Sequence, residues 1–196
     1  MQRDYFVTCT PPQSDAILLR QIADGHKPAM RALFARHQVK VYRFALRIVR
    51  DAALAEDVVS ETFLDAWRHA ARYAGRSSVS TWLLGIARHR ALTAATRRRP
   101  IASLECEAAQ NAVDPAGDPE AALGQVQIGI AIRRGLAALS REHAEIIDLV
   151  YYQEKSIREI AEILDIPENT VKTRMLYARK RLAALIASAG VERAAA

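Results

Sequence analysis

Several features are scarce in this chain of 196 residues, and each scarcity narrows the reading. There are two cysteines, Cys9 and Cys106, far apart and both in segments expected to be flexible. No disulfide framework follows from such a pair; two incidental thiols are expected. No apolar run approaches the roughly 18 residues needed to cross a bilayer. The opening stretch "MQRDYFVTCTPPQSD" has no apolar core of signal-peptide length. A cytoplasmic protein without membrane insertion is expected. β-branched alternation is almost absent, which argues against a sheet. The histidines His26, His37, His69, His89 and His143 show no metal-ligand spacing. No metal, cofactor or catalytic residue is therefore expected. There is no internal repeat, heptad array or evident dimerisation helix, so no obligate homo-oligomer is expected.

What is present is helical. Hydrophobic residues make up 51% and charged residues 26%, with a net charge of +6. Ser14 can cap "DAILLRQIAD", which Gly25 ends, and Pro28 can sit in the first turn of "AMRALFARHQVKVYRFALRIV". Asp51 can cap "AALAEDVVSETFLDAWRHAARY". "AGRSS" interrupts the pattern, Ser78 or Ser80 starts "TWLLGIARHRALTAATRRR", and Pro100 stops it. Between positions 101 and 127 there are five acidic residues and no basic ones, with Pro115, Gly117 and Pro119. Helical periodicity resumes in "QIGIAIRRGLAAL". Ser140 can cap "REHAEIIDLVYYQ", and Ser156 with Glu159 has capping-box spacing ahead of "IAEIL". The expected architecture is all-α, with two small helical domains at 14–99 and 122–187. A flexible acidic linker at 100–121 joins them, with tails at 1–13 and 188–196.

The last helix is the most informative. "NTVKTRMLYARKR" carries five cations and no carboxylate. At about 100° per residue, Val171, Met175, Ala178, Leu182, Leu185 and Ile186 share one stripe. The opposite face holds Asn169, Thr173, Leu176, Tyr177 and Lys180, with Lys172 and Arg179 on one shoulder and Arg174 and Arg181 on the other. A helix in a DNA major groove needs this arrangement, because central groups read base edges while flanking cations hold phosphates. Leu176 can meet a thymine methyl. Ahead of it, Ile160, Ala161, Leu164, Ile166 and Val171 stand at helix-turn-helix spacing, small Ala161 letting two helices cross closely. The alternative is an ordinary helical hairpin with a solvated basic face.

Two more surfaces stand out. In "AEDVVSETFLDAW", Val59, Phe63, Ala66, Trp67 and Ala70 share a face, while Asp57, Glu61 and Asp65 recur every four residues on the other, beside Leu54 and Val58. Like charges at that spacing cost the helix a few tenths of a kcal/mol per pair. They suit either solvent or a basic protein partner. Between Arg88 and Arg99 there are five arginines and no carboxylate, preceded by Tyr73 and a polar Gly/Ser loop. A basic helix beside such a loop suits single-stranded DNA, which needs cations for its backbone and a platform or pocket for its bases. Trp82 opens an apolar run with Leu83, Leu84 and Ile86 and is expected in the core. Three classes remain open on these grounds: a transcription initiation protein, a stand-alone helix-turn-helix regulator, and, least favoured, a helical nuclease.

"AEDVVSETFLDAW", "STWLLGIARHRAL" and "SIREIAEILDIPENTVKTRMLYARKRL", in that order, resemble the sigma-70 family. With two domains and a short linker, the chain resembles its extracytoplasmic function (ECF, group 4) branch. The resemblance implies a protein that binds core RNA polymerase, at its β′ clamp helices and β flap, and directs it to promoter DNA. Leu54, Asp57, Val58, Glu61 and Asp65 would dock on the polymerase. Tyr73, Arg76, Ser77, Ser78, Ser80, Arg88, His89, Arg90 and Arg97 would capture the −10 element as it melts. Asn169, Thr170, Lys172, Thr173, Leu176 and Tyr177 would contact −35 bases, with Arg174, Arg179 and Lys180 on phosphates. The linker would run toward the RNA exit path, and a cognate anti-sigma factor would hold the protein inactive. The sequence departs from the family at Ser60, usually Gln, at His89, often Asn, and at Thr93 and Thr96. Asp165 occupies a turn position often held by Gly.

Overall fold

The computed structural model describes residues 13–97, 132, 135–136 and 138–188. The tails apart from Gln13 and Ser188, the linker at 100–121, the Pro100 stop, both cysteines and most of "QIGIAIRRGLAAL" lie outside the described residues. Seven α-helices are described: α1 Asp15–Ala23, α2 Lys27–Val49, α3 Ala52–His69, α4 Val79–Arg97, α5 Arg141–Tyr151, α6 Ile157–Leu164 and α7 Glu168–Ser188. A 3₁₀ turn, Ala70–Arg72, follows α3.

Local chemistry sets most boundaries. Gly25, at φ +83°, supplies the left-handed turn after α1, and Pro28 sits in the first turn of α2. Asp51 accepts a hydrogen bond from the Leu54 N–H at 2.9 Å. Ser78 accepts one from the Thr81 N–H at 3.2 Å, so Ser78, and not Ser80, starts α4. Ser14 and Ser140 occupy extended N-cap positions without a side-chain cap bond; Ser140 pairs with His143 Nδ1 instead, at 3.0 Å. Ser156 and Glu159 form a complete capping box on α6. Asp165 ends α6 at φ +53°, a left-handed position that short polar side chains tolerate.

Helices α2, α3 and α4 pack on one another, with α1 laid across them. Leu33 and Phe44 of α2, Phe63 of α3, and Leu83 and Leu84 of α4 fill the centre. Ala45, Ala55, Ala66 and Ala87 are fully buried where helices approach closely. In the C-terminal bundle, Ile146 and Leu149 of α5, Ile160 and Leu164 of α6, and Val171 of α7 are buried together. These residues belong to the same contiguous apolar cluster as the N-terminal bundle. Helix α6 lies along α4, and α5 lies on α2.

Polar contacts rim this seam. Thr81 Oγ1 donates to Glu159 Oε1 at 2.6 Å, and Ser78 Oγ donates to the same oxygen at 3.1 Å. Arg88 Nε donates to Glu145 Oε2 at 3.2 Å. Arg47 Nε lies 2.5 Å from Asp148 Oδ1, an ion pair angled outside hydrogen-bond geometry, and its guanidinium covers the Tyr152 ring at 4.4 Å. Desolvation pulls the Glu159 pKa upward. The hydrogen bonds from Thr81 and Ser156 and the Lys155 charge outweigh it and lower the value from 4.5 to about 2. For Asp148 the balance reverses: burial raises its pKa despite Arg47 and Gln153.

Two truncations test the packing by urea denaturation. Leu33→Ala costs about 2–5 kcal/mol, because Leu33 is fully buried. Ser156→Ala removes the α6 cap at about 1 kcal/mol. The Glu159 shift predicts a pH signature. A carboxylate with a depressed folded pKa stabilises above its ordinary value and loses that contribution as pH falls from about 4.5 to about 2. The stability gap between the parent chain and Glu159→Gln, read from denaturation midpoints, is therefore present at pH 6 and closes toward pH 2.

Candidate nucleic-acid and polymerase-docking surfaces

Helices α6 and α7, joined by the left-handed turn at Asp165, form a helix-turn-helix. The amphipathic division of α7 follows the sequence pattern. Val171 and Ala178 are buried, and Met175, Leu182 and Leu185 are half-buried. Asn169, Lys172, Thr173, Leu176, Tyr177, Arg179 and Lys180 are exposed. Leu176 and Tyr177 keep 52% and 57% of their surface open, so solvent meets apolar groups at the centre of a cationic face. Three expected contacts are partly engaged. Thr170 is half-buried, Arg174 pairs with Glu142 at 3.2 Å, and the Thr173 hydroxyl donates to the Asn169 carbonyl at 2.9 Å. Exposed Tyr151 carries Arg179 over its ring at 5.7 Å, which extends the aromatic surface beyond α7. The helical wheel of α7 could not reveal Tyr151, because it lies on another helix.

The loop before α4 is shaped by Tyr73. Its hydroxyl donates to the Ser77 carbonyl, and its ring rests against Trp82 at 5.4 Å. Desolvation, with a smaller contribution from the Asp15 charge, raises its pKa, so the phenol stays protonated. Trp82 is half-buried against the core, as its apolar neighbours imply. Gly75, at φ +67°, turns the loop. Of the residues expected to hold a single strand, Arg76, His89 and Arg97 are exposed, and Ser77 and Ser80 are half-buried. Ser78 and Arg88 are occupied by Glu159 and Glu145 across the seam. Arg90 is turned toward α3, where its Nε donates to Asp65 Oδ2 at 2.6 Å. Thr81 and Lys155 were not expected at this surface, nor Arg47 at the seam between the bundles. Their partners lie far away in sequence, where no spacing rule reaches.

The acidic face of α3 is narrower than its spacing suggests. Asp57 and Glu61 are exposed and Leu54 is half-buried. Val58 is 2% exposed and belongs to the core. Asp65 is 8% exposed and committed to Arg90. Eight residues carry Asp65 roughly 80° around the helix from Asp57, enough to turn it under α4. Leu64, seven residues on, returns nearly in line with Asp57 and is 46% exposed. The exposed acidic face is therefore Asp57 and Glu61 edged by Leu54 and Leu64, without the side chains of Val58 and Asp65.

Among the described residues, no group of three acidic, histidine or cysteine side chains is placed to hold a metal ion. No helix among them is long and apolar enough to cross a membrane.

Comparison with known proteins agrees with this geometry. Residues 33–101 match the model of Sigma-70 region 2, and residues 130–182 match that of Sigma-70, region 4. The chain is 37% identical to the ECF RNA polymerase sigma factor SigL of Mycobacterium tuberculosis (strain ATCC 35801 / TMC 107 / Erdman), across 84% of this chain and 92% of that protein. It is 34% identical to SigM of M. tuberculosis (strain ATCC 25618 / H37Rv), across 89% and 85%. The fold resembles CnrH in its complex with the cytosolic domain of CnrY, with a TM-score of 0.65 and 24% identity over 90% of this chain and 99% of that one. It also resembles the sigma factor RpoE bound to the anti-sigma factor NepR from Bartonella quintana, with a TM-score of 0.62 and 23% identity over 78% and 93%. With both regions in order and relatives this similar along most of its length, the chain belongs to the sigma-70 family, among the ECF RNA polymerase sigma factors.

Proposed function

We propose that this sigma factor divides promoter recognition between its two bundles while a third surface holds the polymerase. The exposed carboxylates Asp57 and Glu61, edged by Leu54 and Leu64, dock on the β′ clamp helices of core polymerase. The loop from Tyr73 to Ser80 and the basic side of α4 capture the −10 element once its strands separate, with Arg88 and Arg76 on the backbone. Helix α7 enters the major groove of the −35 element, and the C-terminal bundle meets the β flap. Asn169, Thr173, Leu176 and Tyr177 face base edges; Lys172, on the shoulder beside Arg179, joins Arg179 and Lys180 on phosphates in place of the base contact that the resemblance implies for it. The observation that carries this reading is the division of α7, whose described apolar stripe is buried or half-buried and whose polar, cationic face is open to solvent.

The same reading gives the chain no catalytic step and no cofactor, and places it in the cytoplasm, where polymerase works. Control by a cognate anti-sigma factor is part of the proposal. One solved structure of similar fold is a sigma factor held by such a protein.

Reconstituted transcription tests the whole. With core polymerase and genomic promoter fragments, the chain yields defined transcripts; their absence beside an active polymerase contradicts the reading. Asp57→Lys combined with Glu61→Lys weakens core binding about tenfold or more, read by fluorescence titration, because like charges then face each other across the interface. On −35 duplex, Lys172→Ala and Lys180→Ala each flatten the log–log salt dependence by about 0.9, the signature of one lost phosphate contact. Asn169→Ala instead relaxes base preference, at about 1–3 kcal/mol of discrimination.

A further inference from the structure

Part of the surface assigned to the melted strand is already occupied by the C-terminal bundle. Thr81 and Arg88 stand seven residues apart and return to the same side of α4, with Ser78 at its start. Glu159 of α6 accepts from both hydroxyls, and Glu145 of α5 accepts from the guanidinium. Glu145 is 4% exposed, so its charge is buried against Arg88 rather than resting on the surface. A carboxylate oxygen offers hydroxyls and guanidinium groups what a phosphate oxygen offers them, an anionic acceptor at hydrogen-bond distance.

We infer that the carboxylate face of α5 and α6 is a ligand of the strand-capture surface, so that the C-terminal bundle and the melted −10 strand compete for it and the free chain holds itself closed. The inference rests on the assignment of that surface to the −10 strand. Closure is selective. Asp57 and Glu61 on α3 and the reading face of α7 remain exposed. The closed chain can therefore meet polymerase and −35 duplex, while strand capture waits for opening.

The experiment uses the full chain and a short, fluorescein-labelled, mixed-sequence single-stranded oligonucleotide. The variant combines Glu145→Gln and Glu159→Gln, and Gln at 159 still closes the capping box. A control combines Glu154→Gln and Glu162→Gln, which removes the same charge from exposed positions of the same bundle. Small-angle scattering gives the dimensions, and anisotropy gives the affinity. The seam variant is larger than the parent and binds about tenfold tighter, the gain expected when an open fraction near one in ten becomes the majority. The control matches the parent in both. Adding Arg88→Ala to the seam variant removes the gain. Unchanged dimensions overturn the inference, as does expansion without tighter binding, or an equal gain in the control. If Arg88→Ala leaves the tighter binding intact, the assignment of the strand surface itself fails, and the inference falls with it.

Discussion

The Glu159 carboxylate has two duties, and the arrangement of the molecule turns on their coincidence. Within α6 it closes the capping box, accepting from Ser156 and fixing where the helix-turn-helix begins. Across the seam it accepts from Thr81 and Ser78 at the start of α4. The residue that sets the first turn of α6 thus also anchors the C-terminal bundle to the N-terminal one. Behind it, the apolar face of α6 completes a core that α2, α3 and α4 leave open. Apolar burial supplies the attraction, while the charged rim fixes register and limits how firmly the bundles hold.

Charge is segregated in a way that fits several partners at once. A net charge of +6 suits DNA, yet α3 presents Asp57 and Glu61 to solvent. A basic protein surface can be held there without drawing nucleic acid to the same place. Two cations of α7 are tied within the molecule, Arg174 by Glu142 and Arg179 by the Tyr151 ring. Lys172 and Lys180 are exposed and have no such tether among the described contacts.

Much of this was legible in the sequence, for reasons that are local. Capping residues, Pro28, Gly25 and helical periodicity act within a turn or two, so the helices and the division of α7 could be read from spacing. Asp165, at a turn position often held by Gly, takes the left-handed conformation that Gly would supply there. Asp65 shows where spacing misleads: a period of four drifts around a helix that repeats every 3.6 residues, and over two turns the drift carries it under α4 to Arg90. The seam left no trace at all. Thr81 and Glu159 are separated by 78 positions, and the capping-box spacing of Glu159 says nothing of a second partner. Pairing of that kind depends on how completed helices pack, which periodicity does not encode.

Energy transfer between the bundles tests the account most directly. With Cys9 and Cys106 replaced by Ser, a donor at Thr96→Cys on α4 and an acceptor at Glu162→Cys on α6, both exposed, report the separation of two helices that pack together across the seam. The account predicts high transfer in the free chain and a fall when core polymerase and promoter DNA bind. Low transfer in the free chain, or a value unchanged on the polymerase, would contradict it.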